Sequence, residues 1–174
     1  VFLFECYTGI RISDILTLKW KHITDEKISI RMRKTEKLLT IPINDYVRSV
    51  LDRRRCAVEN NGGKITSEKY VFNILKVDVD EVSAQDALNA ISSATAVINK
   101  QLKKIAKKTG IDKNLSTHCA RHSYATALLT NNIPLPVIKE MLGHSDIKVT
   151  QIYAKVVDSK RNEVVECLNK VYHG

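Results

Sequence analysis

Residues 115–156 read LSTHCARHSYATALLTNNIPLPVIKEMLGHSDIKVTQIYAKV, and the rest of the chain is organised around this stretch. It sets His118 and Arg121 three positions apart, His144 directly after a glycine, and Tyr153 nine positions further on. Two imidazoles, a guanidinium and a phenol are the groups that metal-free phosphoryl chemistry uses. With Ser116 or Thr117 as N-cap, the spacing predicts a helix on which His118 and Arg121 share a polar face, well away from Ala120, Tyr124 and Ala127. Asn131-Asn132 turns the chain, Pro134 opens a further helix as a first-turn proline, and Gly143 closes it, which leaves His144 on a tight loop. Asp146 to Val156 reads as a helix carrying Tyr153. Asp158 reads as the cap of a final amphipathic helix with Val164, Val165, Leu168 and Val171 on one face.

Upstream of this stretch, Phe2 to Tyr7 reads as the end of a helix stopped at Thr8-Gly9, with Gly9 suited to a left-handed cap. A second helix follows in RISDILTLKW, with Ile12, Ile15, Leu16 and Lys19 as its inner stripe and Arg11 at the loop-to-helix junction. Arg11 points away from the core on this reading, and Asp14 either holds its guanidinium or caps the helix. From Lys27 to Ile43 the period becomes two, with Ile28, Ile30 and Met32 alternating with Ser29, Arg31 and Arg33 before a polar KTEK turn, which predicts a β-hairpin with a basic tip. Asn44 or Asp45 caps a helix with Val47, Val50 and Leu51 on one face. Asn60 to Gly63 is a loop, Tyr70 to Ile74 a short strand, and Val77 to Glu81 an acidic loop.

Ser83, with Asp86 three positions on, begins the longest helix, whose stripe is Leu88, Ile91, Ala94, Ile98, Leu102 and Ile105. Its last turns carry Lys103, Lys104, Lys107 and Lys108, read either as a solvated face complementing the helix dipole or as phosphate contacts. Gly110 ends it. The fold class is therefore mainly α with one small antiparallel sheet.

The chain has 174 residues, 44% of them apolar, enough for one domain with a real core and too many apolar groups for general disorder. Its 28 Lys and Arg against 19 Asp and Glu give a formal charge of +9, which favours a polyanionic partner. Cys6, Cys56, Cys119 and Cys167 are scattered without CxxC spacing and read as free buried thiols in a reducing compartment. No apolar run approaches the roughly 18 to 20 residues of a membrane span, and no signal peptide is visible, so a cytoplasmic location is expected. The chain opens at Val1 inside an apolar helical run without a cap, which reads as a fragment with a further N-terminal domain outside it.

Taken singly, the polar groups have ordinary readings. A His-x-x-Arg pair is commonly a surface pair, a tyrosine on an apolar helix is commonly core, and a histidine after Leu-Gly commonly bonds the backbone of its own loop. Four segments taken in order narrow the choice. TGIRISDILTLKW (8–20), RKTEKLLTIPI (33–43), HCARHSYAT (118–126) and LGHSDIKVTQIYAKV (142–156) resemble the catalytic domain of the tyrosine recombinases, or phage integrases, along most of the chain. Ala120, where that family usually has a larger apolar residue, is a departure in packing and leaves the chemical groups intact.

The resemblance implies that residues 1–174 are a C-terminal catalytic domain whose N-terminal DNA-binding partner domain lies outside the chain. It implies Arg11 and Arg121 as phosphate-binding arginines, His118 and His144 as flanking polar groups, and Tyr153 as the nucleophile. Lys34 matches the hairpin lysine, with Arg33 and Lys37 close by as competitors for that role. Each arginine can give two hydrogen bonds to the non-bridging oxygens. Holding a phenol of pKa about 10 ionised at pH 7 costs roughly 4 kcal/mol, so a base or a positive field must assist. On this reading His118 takes the Tyr153 proton, His144 bonds the phosphate, and Lys34 protonates the departing 5′-oxygen. Double-stranded DNA is the implied substrate, Arg33 and the four lysines its further contacts, and a tetrameric synapse of the whole protein the implied assembly. No cofactor, metal or ATP is required. A type IB topoisomerase, recognised by relaxing plasmid without a recombination site, and an inert DNA-binding module, recognised by a missing catalytic residue, are the alternatives.

Overall fold

The computed structural model describes residues 1–151. In chain order these form α1 (Phe2–Thr8), α2 (Ile12–Leu16), a 3-10 turn at Trp20–His22, β1 (Lys27–Arg31) and β2 (Leu38–Pro42). They continue as α3 (Asp45–Asn60), α4 (Ala84–Lys108), α5 (Thr117–Thr130), α6 (Leu135–Met141) and α7 (Lys148–Gln151). The expectation of a mainly helical fold with one two-stranded antiparallel sheet is met. Tyr153 and the final helix expected after Asp158 lie outside the described residues.

Local chemistry sets most of the boundaries. Gly9 ends α1 at φ +64 with its N–H on the Glu5 carbonyl at 2.8 Å, and a Cβ there would run into the Tyr124 ring of α5. The hairpin pairs Lys27 with Pro42 through to Arg31 with Leu38, so Ile28, Ile30, Leu39 and Ile41 all turn inward. Asn44 caps α3 by accepting the Val47 N–H at 2.9 Å, and Ser83 caps α4 by accepting that of Asp86 at 3.1 Å. The start of α5 is capped from a distance, since Asn99 of α4 accepts the Thr117 N–H at 2.9 Å.

Three apolar clusters hold these elements together. The largest joins Phe4 of α1, Ile15 of α2, the hairpin and Val47 and Leu51 of α3, with Phe4 and Phe72 in edge contact at 5.1 Å. A second packs Tyr124, Ala125 and Leu129 of α5 on Ile138 and Leu142, and a third packs Leu16, Leu75 and Val79 on Ala87 and Ile91 of α4.

Several expectations are corrected. The helix in RISDILTLKW stops at Leu16, and Lys19 lies beyond it, buried with Nζ on Asp78 at 2.9 Å and Asp80 at 2.7 Å. The acidic loop is therefore a clamp. Tyr70 also donates its hydroxyl to Asp78 at 2.8 Å, and the expected strand at 70–74 reduces to a single bridge between Tyr70 and Lys19. On α4 the stripe is narrower than expected, running through Ala87, Ile91, Leu102 and Ala106, while Leu88 and Ile105 are exposed. A 25-residue helix touching its neighbours along one thin line leaves flanking apolar positions in solvent. Pro134 is the N-cap of α6, one position before its first turn. Cys6, Cys56 and Cys119 are free thiols, but none is fully buried and Cys56 is exposed. No described helix is long and apolar enough to cross a membrane.

Candidate active site

Arg11 stands at the N-cap of α2 in extended conformation, half-buried, with Nη1 donating to the Met32 sulfur at 3.2 Å. Asp14, one turn into the helix, feels the charge of Arg11 but takes its hydrogen bond from elsewhere. Its Oδ1 accepts the backbone N–H of Arg33 at 2.9 Å, so this carboxylate ties α2 to the hairpin tip. Asp14 is 3% exposed, and burial pushes its carboxyl up, opposed by the Arg33 N–H and the charges of Arg11, Arg121 and Arg33. The tip itself is closed by Met32 N–H to Lys37 O at 2.9 Å and Glu36 N–H to Met32 O at 2.8 Å, with Glu36 at φ +56. Arg33 and Lys34 are exposed on it.

The separation of faces expected on α5 does not hold. Arg121 is 6% exposed and lies on the packed side with Ala120, Tyr124 and Ala125, whereas Ala127 is exposed. The guanidinium is accommodated because its donors end on carbonyls: Nη1 donates to Gly9 O and Nη2 to Leu142 O at 2.6 Å. Both oxygens belong to helix C-terminal ends, where the helix dipole favours a cation. His118 is exposed at the start of α5, and its ring meets that of His122 edge-on at 4.3 Å between centroids. Burial, His118 and Arg121 together hold the His122 imidazole below its ordinary range.

His144 follows Gly143, which adopts φ +61, and its Nδ1 is paired with the Thr150 hydroxyl at 2.9 Å. Thr150 is fully buried in α7. Burial lowers the His144 imidazole to about 4, reinforced by Arg121, Arg11 and Lys34 in that order. The contacts agree with that relation: Arg121 bonds the Leu142 carbonyl two residues before His144, and Arg11 bonds the sulfur of Met32, which packs against Gly143 at the base of the hairpin that carries Lys34. His118 is linked to Arg121 through His122, whose ring it meets and on whose charge both act. Lys103, Lys104, Lys107 and Lys108 are exposed along the end of α4.

Three residues have partners or surroundings that only the folded chain reveals. Thr150 carries no signal until the turn is folded, and Asp14 names its partner only when the hairpin is in place. Glu5 had a visible signal, a carboxylate inside an apolar run, and it is 2% exposed with no partner on Oε2 among the described residues. Burial pushes its carboxyl up to about 8 against the pull of Arg121.

Residues 1–160 match the phage integrase family. The tyrosine recombinase XerD of Listeria monocytogenes serotype 4b is 31% identical over 160 residues, covering 90% of this chain and 49% of that protein. The tyrosine recombinase XerA of Saccharolobus solfataricus is 30% identical over 163 residues, covering 93% and 47%. The chain thus spans about half the length of these relatives. Among solved structures, a XerA recombinase superposes with a TM-score of 0.62 at 27% identity, over 91% of this chain and 53% of that one. With the family matched over residues 1–160 and its fold shared with a XerA recombinase, the chain belongs to the phage integrase family of tyrosine recombinases.

Proposed function

We propose that this chain is the C-terminal catalytic domain of a site-specific DNA recombinase that cuts and rejoins strands through a 3′-phosphotyrosyl intermediate on Tyr153. The observation that carries this reading is that Arg121, held on the Leu142 carbonyl, and Arg11, held on the Met32 that packs against Gly143, converge with the Lys34 hairpin on the turn that leads into His144. An array of cations fixed by the fold is what a phosphorane-like transition state needs. Arg121 is already oriented by two carbonyls, so little reorganisation is left for the reaction itself.

In the reaction the Tyr153 oxygen attacks phosphorus and forms the new P–O bond while the bond to O5′ breaks. His118 takes the phenol proton, and Lys34 gives a proton to the leaving oxygen. Arg11 and Arg121 hold the non-bridging oxygens. When Thr150 donates to Nδ1 of His144, the imidazole proton resides on Nε2, which then donates to the phosphate. Rejoining is the reverse reaction, and the bond energy stays in the phosphotyrosine.

The exposed Arg33 and the α4 lysines suit contacts to flanking phosphates, which carry no sequence information. Coverage of about half the relatives leaves room for the separate DNA-binding domain that would complete a clamp in the whole protein. Such a protein works in the cytoplasm on double-stranded DNA and assembles there as a tetrameric synapse. Residues 162–174 are the segment we assign to that self-association, and deleting them should reduce cooperativity on paired sites.

The test is covalent trapping on a nicked suicide duplex with the full-length protein. The unaltered protein should form an adduct resistant to denaturant. Tyr153→Phe should form none while binding DNA within about 3-fold of the unaltered protein, as expected for loss of a group that acts in the transition state. A Phe variant that still became linked to DNA would refute the assignment.

A further inference from the structure

Met32 is 1% exposed at the base of the hairpin tip, and three parts of the site meet on its side chain. Its sulfur accepts from Arg11 Nη1 at 3.2 Å, and the Thr35 hydroxyl lies 3.9 Å from the same atom. On the other side it fills the space that a side chain at position 143 would need, since a Cβ on Gly143 would overlap both Sδ and Cε. Its own backbone closes the loop that carries Lys34. One thioether thus touches the guanidinium of α2, the lysine hairpin and the turn that leads into His144.

We propose that Met32 is a positioning residue, whose sulfur orients the Arg11 guanidinium and whose packing against Gly143 locks the Lys34 hairpin to the His144 turn. The proposal rests on the recombinase reading for its catalytic consequence and on the geometry alone for the orientation of Arg11. A guanidinium has five donors in a fixed plane, so an acceptor on one edge fixes where the other edge points. Sulfur is a weak acceptor, but in a water-poor position beside a cation it is a directional one, and an unbranched thioether reaches between two backbones where a branched side chain does not. Asp14 anchors the tip from its N-terminal side through the Arg33 amide, and Met32 anchors it from beneath.

Two substitutions separate the acceptor from the packing. Met32→Leu keeps the volume and removes the acceptor, a change the core tolerates. Met32→Gln keeps the length and supplies an oxygen acceptor. In the full-length protein, nitrogen-15 relaxation of the Arg11 side chain should show an ordered guanidinium in the unaltered and Gln forms. In the Leu form its order parameter should fall below about 0.6. Single-turnover cleavage of the nicked duplex at saturating DNA should slow about 10-fold in the Leu form and recover in the Gln form, with Kd changing less than about 3-fold. A Leu form with an ordered Arg11 and unaltered cleavage would overturn the proposal. Failure of the unaltered protein to form any adduct would instead refute the recombinase reading, and the relaxation of Arg11 would still decide the role of Met32.

Discussion

Replacing Glu5 by glutamine should make the protein more stable, and by an amount that depends on pH. Glu5 is 2% exposed on α1, Oε2 has no partner among the described residues, and burial moves its carboxyl from 4.5 to about 8 despite the nearby Arg121. Between those two values the unfolded chain has released the proton and the folded chain retains it. The folded state therefore binds more protons, and stability falls as pH rises across the window. At 1.36 kcal/mol per unit, keeping this carboxyl in the core costs about 3 kcal/mol at pH 7 and almost nothing at pH 4. Glu5→Gln keeps the shape of the protonated acid and cannot ionise. Urea denaturation at pH 4.5, 6, 7 and 8.5 should show the two proteins converging at the acid end and the variant ahead by about 2 to 3 kcal/mol at pH 7, with equal m-values. A variant less stable at every pH would refute the reasoning, because it would mean that Glu5 is ionised and stabilises the fold through Arg121.

Three further outcomes follow from the site. His144 should titrate near pH 4 by NMR in the DNA-free protein and move upward when a phosphate occupies the site. Because a depressed imidazole resists protonation only in the folded state, its contribution to stability is lost as pH falls from 6.5 towards 4, and a free-protein value at or above 6.5 would contradict the electrostatic picture. Arg121→Lys should lower stability by about 2 kcal/mol in urea, since a compact ammonium lacks the planar fork whose two Nη atoms each reach one of the Gly9 and Leu142 carbonyls; an unchanged midpoint would show that those contacts carry no stability. Asn99→Ala should cost about 1 kcal/mol by removing the cap on α5, and Asn99→Asp should restore it, both read from the urea midpoint. Equal midpoints for all three proteins would show that the cap is replaced by solvent.

What was legible in the sequence is what neighbours decide. The stop at Gly9, the caps at Asn44 and Ser83 and the alternation of the hairpin each depend on a few adjacent residues, and each is found where the pattern places it. Arg121 was misjudged because helix periodicity assigns an arginine to the solvent face, while its acceptors lie 112 and 21 positions away and exist only after α1 and α6 have docked. Asp14 shows the same limit, since local pattern points to Arg11 or the helix start and its hydrogen-bond partner lies 19 positions downstream. Lys19 is buried, as its place on the inner stripe predicts, but its partners Asp78 and Asp80 lie about sixty positions away, a separation outside any local pattern. The elements that carry Arg11, Lys34, Arg121 and His144 were thus readable from local pattern, whereas the orientation of these side chains depends on pairings made across the whole domain.

The two carbonyls that hold Arg121 have a consequence for how variation in this protein should be interpreted. The side chain assigned to the phosphate is also the peg that joins the end of α1 to the end of α6. A population of variants at this position will therefore lose abundance and activity together, and a screen that scores only product will credit chemistry with losses that belong to folding. The reverse also holds: any substitution that loosens the seam between α1 and α6 will behave like an active-site defect, although it touches no substrate.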